Sequence, residues 1–368
     1  MDLSLDIVDL TSALIGTPSE SRHEQVLADD VEAALRALPH LAVQRIGNSI
    51  VARTQFGLAE RVIIAGHLDT VPSSGNNQGV LVRAGGEAPV ADTAGSVAAT
   101  EDRLYGLGAC DMKGGVAVAL RLAHDIRTPN RDITYLFYEC EEIEASANGL
   151  KRIADTNPEL LAADFAILME PSDAVIEAGW QGTMRIQITA RGRRAHSARA
   201  WMGENAIHAT AELLNRLNAY VPRKPIIDGL EYHEGLQAVA ITGGVAGNVV
   251  PDIATVTVNY RFAPDRSIAE AEAHLREVFA GFDFIVTDAA DSAIPGLSRP
   301  AAAAFLAAVG GTAQPKFGWT DVARFSALGV PAVNYGPAHP SLAHTPHEFV
   351  PIAQLHAVLD RMTAWLSA

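Results

Sequence analysis

Val62-Ile63-Ile64-Ala65-Gly66-His67-Leu68-Asp69-Thr70 runs from an apolar, β-branched stretch into a histidine and an aspartate two residues apart. The pattern predicts a buried strand over 61–68, with His67 where the chain leaves its sheet. A histidine there can offer one ring nitrogen to a metal, while a carboxylate accepts the other ring N–H and fixes the tautomer. A capped strand end with a hydrogen-bonded histidine would carry the same letters. Residues farther along the chain decide between the two.

Four further clusters bear on that choice. Gly108-Ala109-Cys110-Asp111-Met112-Lys113-Gly114-Gly115 places Asp111 just before an Ala/Val/Leu-rich segment of helical spacing, Val116 to Ala123. There it reads as a helix N-cap or as a carboxylate shared by two cations. Tyr138-Glu139-Cys140-Glu141-Glu142-Ile143-Glu144 puts four acidic groups directly after the strand-like Ile133-Thr134-Tyr135-Leu136-Phe137. Those charges repel one another unless a cation joins them or the loop is solvated. Glu170 ends the apolar run Ile167-Leu168-Met169, and His344 stands in Ala343-His344-Thr345-Pro346-His347-Glu348. His67, Asp111, Glu142, Glu170 and His344 together form a mixed N/O donor set suited to zinc, cobalt or manganese. With one carboxylate shared, each of two ions receives a histidine and a terminal carboxylate, the stoichiometry of a two-metal hydrolase. Four of the five fall after apolar runs, where open α/β sheets place their sites.

With these motifs in this order, the chain resembles the M20 metallopeptidases, a family of di-zinc amidohydrolases and exopeptidases. The matching pieces are His67-Leu-Asp69-Thr70, Asp111-Met-Lys-Gly, Glu141-Glu142, Glu170-Pro171 and His344 with Glu348. The resemblance implies that His67 and Glu170 hold one zinc, Glu142 and His344 the other, and that Asp111 bridges. It implies that Asp69 orients His67 and that Glu141 is the general base. His196, in Arg193-Arg194-Ala195-His196-Ser197, is the residue that in dimeric members reaches a partner subunit's site to stabilise the oxyanion. A surface histidine beside two arginines is the alternative. Asn248 and Arg261 are candidate contacts to a substrate carboxylate, and Thr320, in Gly318-Trp319-Thr320-Asp321, a candidate substrate contact. His339 and His347 compete with His344, which keeps the family's spacing to Glu348.

The alternation of elements predicts an α/β fold. Helices are expected at 7–14 and 23–38, strands near 42–53 and 61–68, a helix over 112–126, and strands at 132–139 and 164–169, giving a central, mostly parallel sheet. The polar, Gly- and Ala-rich stretch 73–104 is expected to be irregular. From Gly179 the order becomes strand, helix, strand, strand, helix, strand, with helices over 205–220 and 268–279 and strands near 184–190, 236–242, 253–262 and 282–287. That is the ferredoxin-like α+β order. The expectation is a di-zinc exopeptidase-like catalytic domain, 1–178 and 292–368, and an inserted lid and dimerisation domain, 179–291, through which the chain forms a homodimer. Ala301 to Ala304 reads as helix.

At 368 residues the chain exceeds one ordinary core. Its net charge of −15 argues against nucleic-acid or anionic-membrane partners. No apolar stretch approaches the ~20 residues of a membrane span, and the acidic opening Met1-Asp2-Leu3-Ser4 has no basic signal-peptide region. A cytoplasmic protein is expected. Its two cysteines, Cys110 and Cys140, each adjoin a ligand candidate and read as buried thiols rather than a disulfide.

Within the family, Tyr138-Glu-Cys-Glu-Glu, Glu177-Ala-Gly, Arg194-Ala-His-Ser-Ala-Arg, Asn259-Tyr-Arg-Phe-Ala-Pro and Phe317-Gly-Trp-Thr-Asp resemble the actinobacterial-type branch of the succinyl-diaminopimelate desuccinylases. The resemblance implies hydrolysis of N-succinyl-L,L-2,6-diaminopimelate. One departure stands out: other desuccinylases often carry arginines where Trp180-Gln181-Gly182 stands here. Another N-acyl-amino-acid deacylase, such as an acetylornithine deacetylase, or an M20 carboxypeptidase is the alternative. A nucleotide-binding oxidoreductase fits poorly, because Gly106-Leu-Gly108 is followed at the third glycine position by Asp111, which repels a pyrophosphate. Glu141 argues against a binding protein that has kept its metals and lost catalysis.

Overall fold

The strands Arg61–His67, Asp132–Tyr138 and Phe165–Leu168 are buried along almost their whole length, so neither sheet face needs polar residues. The computed structural model describes residues 1–89, 98–318 and 320–367. It divides into two compact units, 1–178 with 296–314 and 324–368, and 179–295 with 315–323.

The first unit is built on an eight-stranded sheet. Its order is Ala42–Ile46, Ser49–Arg53, Asp132–Tyr138, Arg61–His67, Phe165–Leu168, Ala332–Asn334, Ile176–Ala178, Ala313–Pro315. The central pairs are parallel: Arg61–His67 lies between Asp132–Tyr138 and Phe165–Leu168, and Ala332–Asn334 continues in the same sense. Parallel neighbours need crossovers, and the helix Lys113–Asp125 supplies one between Arg61–His67 and Asp132–Tyr138. Its first turn lies close to the sheet because it carries two glycines. A Cβ on Gly115 would stand 2.0 Å from the Met169 carbonyl oxygen, and one on Gly114 2.6 Å from that of Ala109. Lys113 is buried as well. Its ammonium donates to the carbonyls of Leu14 (2.9 Å) and Thr17 (2.8 Å), which closes the C-terminal end of the helix Ile7–Gly16. Burial lowers that ammonium to about 7.

Two local expectations change. The single strand expected near 42–53 is an antiparallel hairpin, Ala42–Ile46 with Ser49–Arg53. It turns at Gly47-Asn48, where Gly47 takes a φ of 65° that a residue without a Cβ adopts freely. The stretch 73–104 is not wholly irregular. Val80–Val82 pairs with Arg103–Tyr105, which pairs with Phe349–Pro351 in a small antiparallel sheet. Residues 90–97 of that stretch lie outside the described residues.

The second unit has a four-stranded antiparallel sheet in the order Gly235–Gly243, Ile253–Phe262, Gly182–Arg191, Phe284–Ala290. The first and third strands in sequence are thus central, as a split strand-helix-strand order requires. The two central strands alternate buried and exposed along their lengths. Met184, Ile186, Ile188, Val256, Val258, Tyr260 and Phe262 face a core shared with Leu213, Leu275 and Phe279 of the helices. Thr183, Arg185, Gln187, Asn259 and Arg261 take the alternate positions. The helix expected over 205–220 is two, Ala206–Ala209 and Ala211–Ala219. The segments 292–295 and 315–323, expected with the catalytic domain, fall in this unit instead. The bridge between Trp180 and Ala293 ties the first of them there, and the ring contact of Phe317 with His233 the second.

Candidate metal centre

All the ligand candidates lie in the first unit, and most stand at the C-terminal ends of its buried strands. His67 closes the strand Arg61–His67, Glu141 and Glu142 follow Asp132–Tyr138, and Glu170 follows Phe165–Leu168. Asp111 stands just before the helix Lys113–Asp125, and His344 lies on the loop before Phe349–Pro351, with a φ of 60°.

These loops converge. One candidate donor atom from each of His67, Asp111 and Glu170 lies within 4.8 Å of the other two, and the same holds for Asp111, Glu142 and His344. The two groups share Asp111. His67 Nε2 is 3.0 Å from Asp111 Oδ1. His344 Nε2 is 2.9 Å from Glu142 Oε1 and 3.5 Å from Asp111 Oδ2. His344 therefore joins the cluster, whereas His339 turns its Nδ1 to Ser341.

The supports differ from expectation in one respect. His67 Nδ1 faces the main-chain carbonyl of Asp69 at 3.0 Å, with the Asp69 carboxylate farther away at 3.6 Å. A carbonyl only accepts, so Nδ1 donates to it and Nε2 is left to face Asp111. The buried Asp69 carboxylate has another task. It accepts the backbone N–H of Glu141 (2.9 Å) and of Glu142 (3.1 Å), and the Ser21 hydroxyl (2.7 Å). Asp69 thus fixes the acidic loop more directly than it fixes the imidazole. Glu348 does the same for the other loop, accepting the N–H groups of Cys110 and Asp111, both at 2.9 Å. Burial and the Asp111 charge push its carboxyl up to about 7, against those hydrogen bonds.

The charges agree with a cation site. Burial raises the Glu142 carboxyl, with Asp111 adding to the shift. Burial alone would lower His67, but Asp111, Glu170 and Asp69 outweigh it and hold the imidazole well above its ordinary value. His344 is raised to about 9, chiefly by its bond to Asp111. Two carboxylates and two imidazole nitrogens thus meet around a third, shared carboxylate, an oxygen and nitrogen set that fits two divalent ions.

Glycines hold the Glu170 turn. A Cβ on Gly336 would stand 2.4 Å from the Met169 carbonyl and 2.6 Å from that of Glu170, which adds to the constraint from Gly115. Neither glycine, nor Ser21, stands out in the pattern of apolar residues. Cys110 and Cys140 are buried, and neither takes part in a disulfide.

The remaining candidates lie in the second unit. His196 is exposed on the short strand Ala195–His196, which pairs with Val249–Val250. The Ser197 N–H donates to the Asn248 carbonyl at 2.9 Å, so His196 and Asn248 occupy neighbouring loops. Arg261 is half-buried on the central strand, opposite Thr183. Thr320 is buried, and Trp319 beside it lies outside the described residues. Trp180 and Gln181 are buried and occupied: Trp180 Nε1 donates to the Asp291 carbonyl at 2.9 Å and Gln181 Nε2 to that of His233.

Residues 63–368 match Peptidase family M20/M25/M40. The chain is 50% identical over 369 residues to a putative succinyl-diaminopimelate desuccinylase of Mycobacterium tuberculosis, covering 100% of this chain and 99% of the relative. It is 43% identical over 379 residues to the succinyl-diaminopimelate desuccinylase of Corynebacterium glutamicum, covering 100% and 98%. Among solved structures, a Staphylococcus aureus tripeptidase superposes with a TM-score of 0.72 at 20% identity, covering 98% of this chain and 96% of that one. A dinuclear metal-binding M20 peptidase of Bacillus subtilis gives 0.66 at 16%, covering 98% and 96%.

Proposed function

The chain belongs to peptidase family M20/M25/M40 and is a metal-dependent hydrolase, and from that premise we propose that it hydrolyses N-succinyl-L,L-2,6-diaminopimelate to succinate and L,L-diaminopimelate. The observation that carries this reading is its full-length identity, 50% and 43%, to two relatives that bear the desuccinylase name.

In this reading His67 and Glu170 would hold one divalent ion, Glu142 and His344 would hold a second, and Asp111 would be shared between them. Zinc suits the donors, with cobalt or manganese as substitutes. When bound, such ions polarise the scissile carbonyl and lower the pKa of water. Glu141 is the general base: its carboxylate takes a proton from the attacking water and passes it to the nitrogen of the departing amine. Asp69 keeps Glu141 and Glu142 in place through their backbone amides. In the proposed homodimer, His196 reaches the partner subunit's site and donates to the oxyanion there, and a donor of this kind contributes on the order of 3–4 kcal/mol. Arg261 and Asn248 take substrate carboxylates, and Thr320 is a further substrate contact.

The inserted unit acts as lid and as the surface of a homodimer. Gly235–Gly243 is an edge strand with Val239 57% and Ile241 51% exposed, and an unpaired apolar edge invites a second chain. Two buried cysteines outside any disulfide suit a cytoplasmic protein.

Trp180 and Gln181 favour a second reading, an N-acyl-amino-acid deacylase of the acetylornithine type or a carboxypeptidase. Both side chains are committed inside the second unit and neither brings the cation that a succinyl carboxylate would call for. Purified enzyme is to be assayed against succinyl-diaminopimelate, acetylornithine and a dipeptide. The expected result is the highest kcat/KM on the succinyl compound, and equal or better turnover of either competitor overturns the first reading.

A further inference from the structure

We infer that Glu24, assisted by Ser21, is a positioning residue that sets the direction of Glu141 and Glu142 by holding the left-handed turn at Cys140. Glu24 is fully buried, yet among the described residues no Lys, Arg or His pairs with its carboxylate. Burying a carboxylate without a countercharge is unfavourable by several kcal/mol unless hydrogen bonds compensate. Oε1 accepts three donors: the Arg22 N–H at 2.8 Å, the Cys140 N–H at 3.2 Å and the Cys140 thiol at 3.3 Å. Oε2 has no hydrogen-bond partner among the described residues.

A helix cap does not account for this arrangement. Glu24 occupies the N-cap position of the helix Gln25–Arg36, but its side chain makes no capping bond. The carboxylate turns instead to a residue 116 positions away, in the acidic loop.

Cys140 is the residue between the end of the strand Asp132–Tyr138 with Glu139 and the Glu141-Glu142 pair. Its φ is 58°, a left-handed conformation that residues with a Cβ adopt only at a cost. The direction in which Glu141 and Glu142 leave the strand depends on that one dihedral. Two clamps bracket it. Glu24 holds the Cys140 N–H and thiol from one side, and Asp69 holds the next two amides, its own Oδ2 taking the Ser21 hydroxyl. Both outer groups come from the same N-terminal segment, which also pairs at Ser21 N–H with the Thr70 carbonyl (3.1 Å). The segment Ser19 to Glu24 therefore acts as a brace for the loop that carries the base and one metal ligand. This inference rests on the assignment of Glu141 as base.

The test compares Glu24→Gln, which keeps an acceptor oxygen, with Glu24→Leu, which fills the space and keeps none. Each is made in the full chain and loaded with zinc, and each is assayed on whichever of the three substrates the wild type turns over best. The expected result for Glu24→Leu is a fall in kcat of about 10- to 100-fold with KM within about threefold, because an ångström of misplacement at a reacting group costs about that much. Glu24→Gln is expected to keep kcat within about threefold. Cys140→Gly added to Glu24→Leu is expected to restore most of the lost kcat, since glycine takes the positive φ without help. A merely structural role for Glu24 predicts no such rescue. Where Glu24→Leu does not fold, Ser21→Ala reads the same brace, with kcat expected to fall about 3- to 10-fold at unchanged KM. Wild-type kcat in folded Glu24→Leu or Ser21→Ala, loss in Glu24→Gln as large as in Glu24→Leu, or no recovery on adding Cys140→Gly overturns the inference. Glu141→Gln serves as the reference: if it is fully active, the base assignment falls. If it is inactive beside a fully active Glu24→Leu, this inference alone falls.

Discussion

His67 and Glu170 of the first unit and His196 and Arg261 of the second are held in opposite ways. His67, Asp69 and Glu170 are buried, and each loop that carries them is fixed by a named contact: Nδ1 of His67 on a carbonyl, the Asp69 carboxylate on two amides, glycines against the Glu170 turn. His196 is exposed, and Arg261 extends from the half-open row of a sheet whose other face is a core. Groups that must gather charge in a fixed geometry are immobilised by burial and hydrogen bonds. His196 and Arg261, proposed to meet substrate, stand on open positions of the second unit, although Thr320 there is buried and His344 of the first unit is exposed.

If the first unit is built around two cations, removing them gives the largest change. Chelation is expected to abolish activity and to lower the melting temperature, because Asp111, Glu142 and Glu170 then have only the imidazoles of His67 and His344 to balance them. Refilling with zinc is expected to restore both. A calorimetric scan that is unmoved by chelation would contradict a metal-centred first unit. Next in size is Glu141→Gln. Losing a general base typically costs 10²- to 10⁴-fold, and that loss is expected in kcat while metal analysis still finds two ions per chain.

Gly115→Ala tests the packing behind the ligands rather than the ligands themselves. The new methyl would meet the Met169 carbonyl, next to Glu170, at 2.0 Å. Zinc affinity is expected to fall by about 10- to 100-fold, as it does when a metal ligand loses its support, and excess zinc is expected to recover much of the activity. Activity titrated against free zinc checks this.

Legibility from sequence divides along the same line. The first unit's candidate site could be read in part because His67, Glu142 and Glu170 stand at or just after the ends of apolar strands, and the physical cause is general: a buried parallel sheet must be continuously apolar, so a charge at its end is conspicuous, whereas Asp111 and His344 lie on loops and were legible from the motifs around them. The second unit's order of strands and helices was legible in the alternation of Met184 to Arg191 and Ile253 to Phe262. Features that depend on contact across the chain were not legible. Nothing around Ser21 or Glu24 announces that they reach a loop near residue 140. Gly47-Asn48 hides a turn inside a strand-like run, since a two-residue hairpin leaves almost no gap in the β-branched pattern. Pro315–Ala323 joins the second unit by packing that its own composition does not show.

The smallest effects are expected from the open positions of the second unit, and they sharpen the contrast because they separate binding from chemistry. Arg261→Gln removes a guanidinium that makes no ion pair among the described residues, so its loss disturbs no partner in the free protein. The variant is expected to melt within about 1 °C of the wild type. A charge-assisted bond to a carboxylate is worth about 1.5–3 kcal/mol, so KM for the succinyl substrate is expected to rise by about 10- to 100-fold. Because that contact is made equally before and during bond cleavage, kcat is expected to stay within about threefold. A fall in kcat with KM unchanged would move Arg261 from substrate binding to the reacting centre, and the division of labour between the two units would no longer hold.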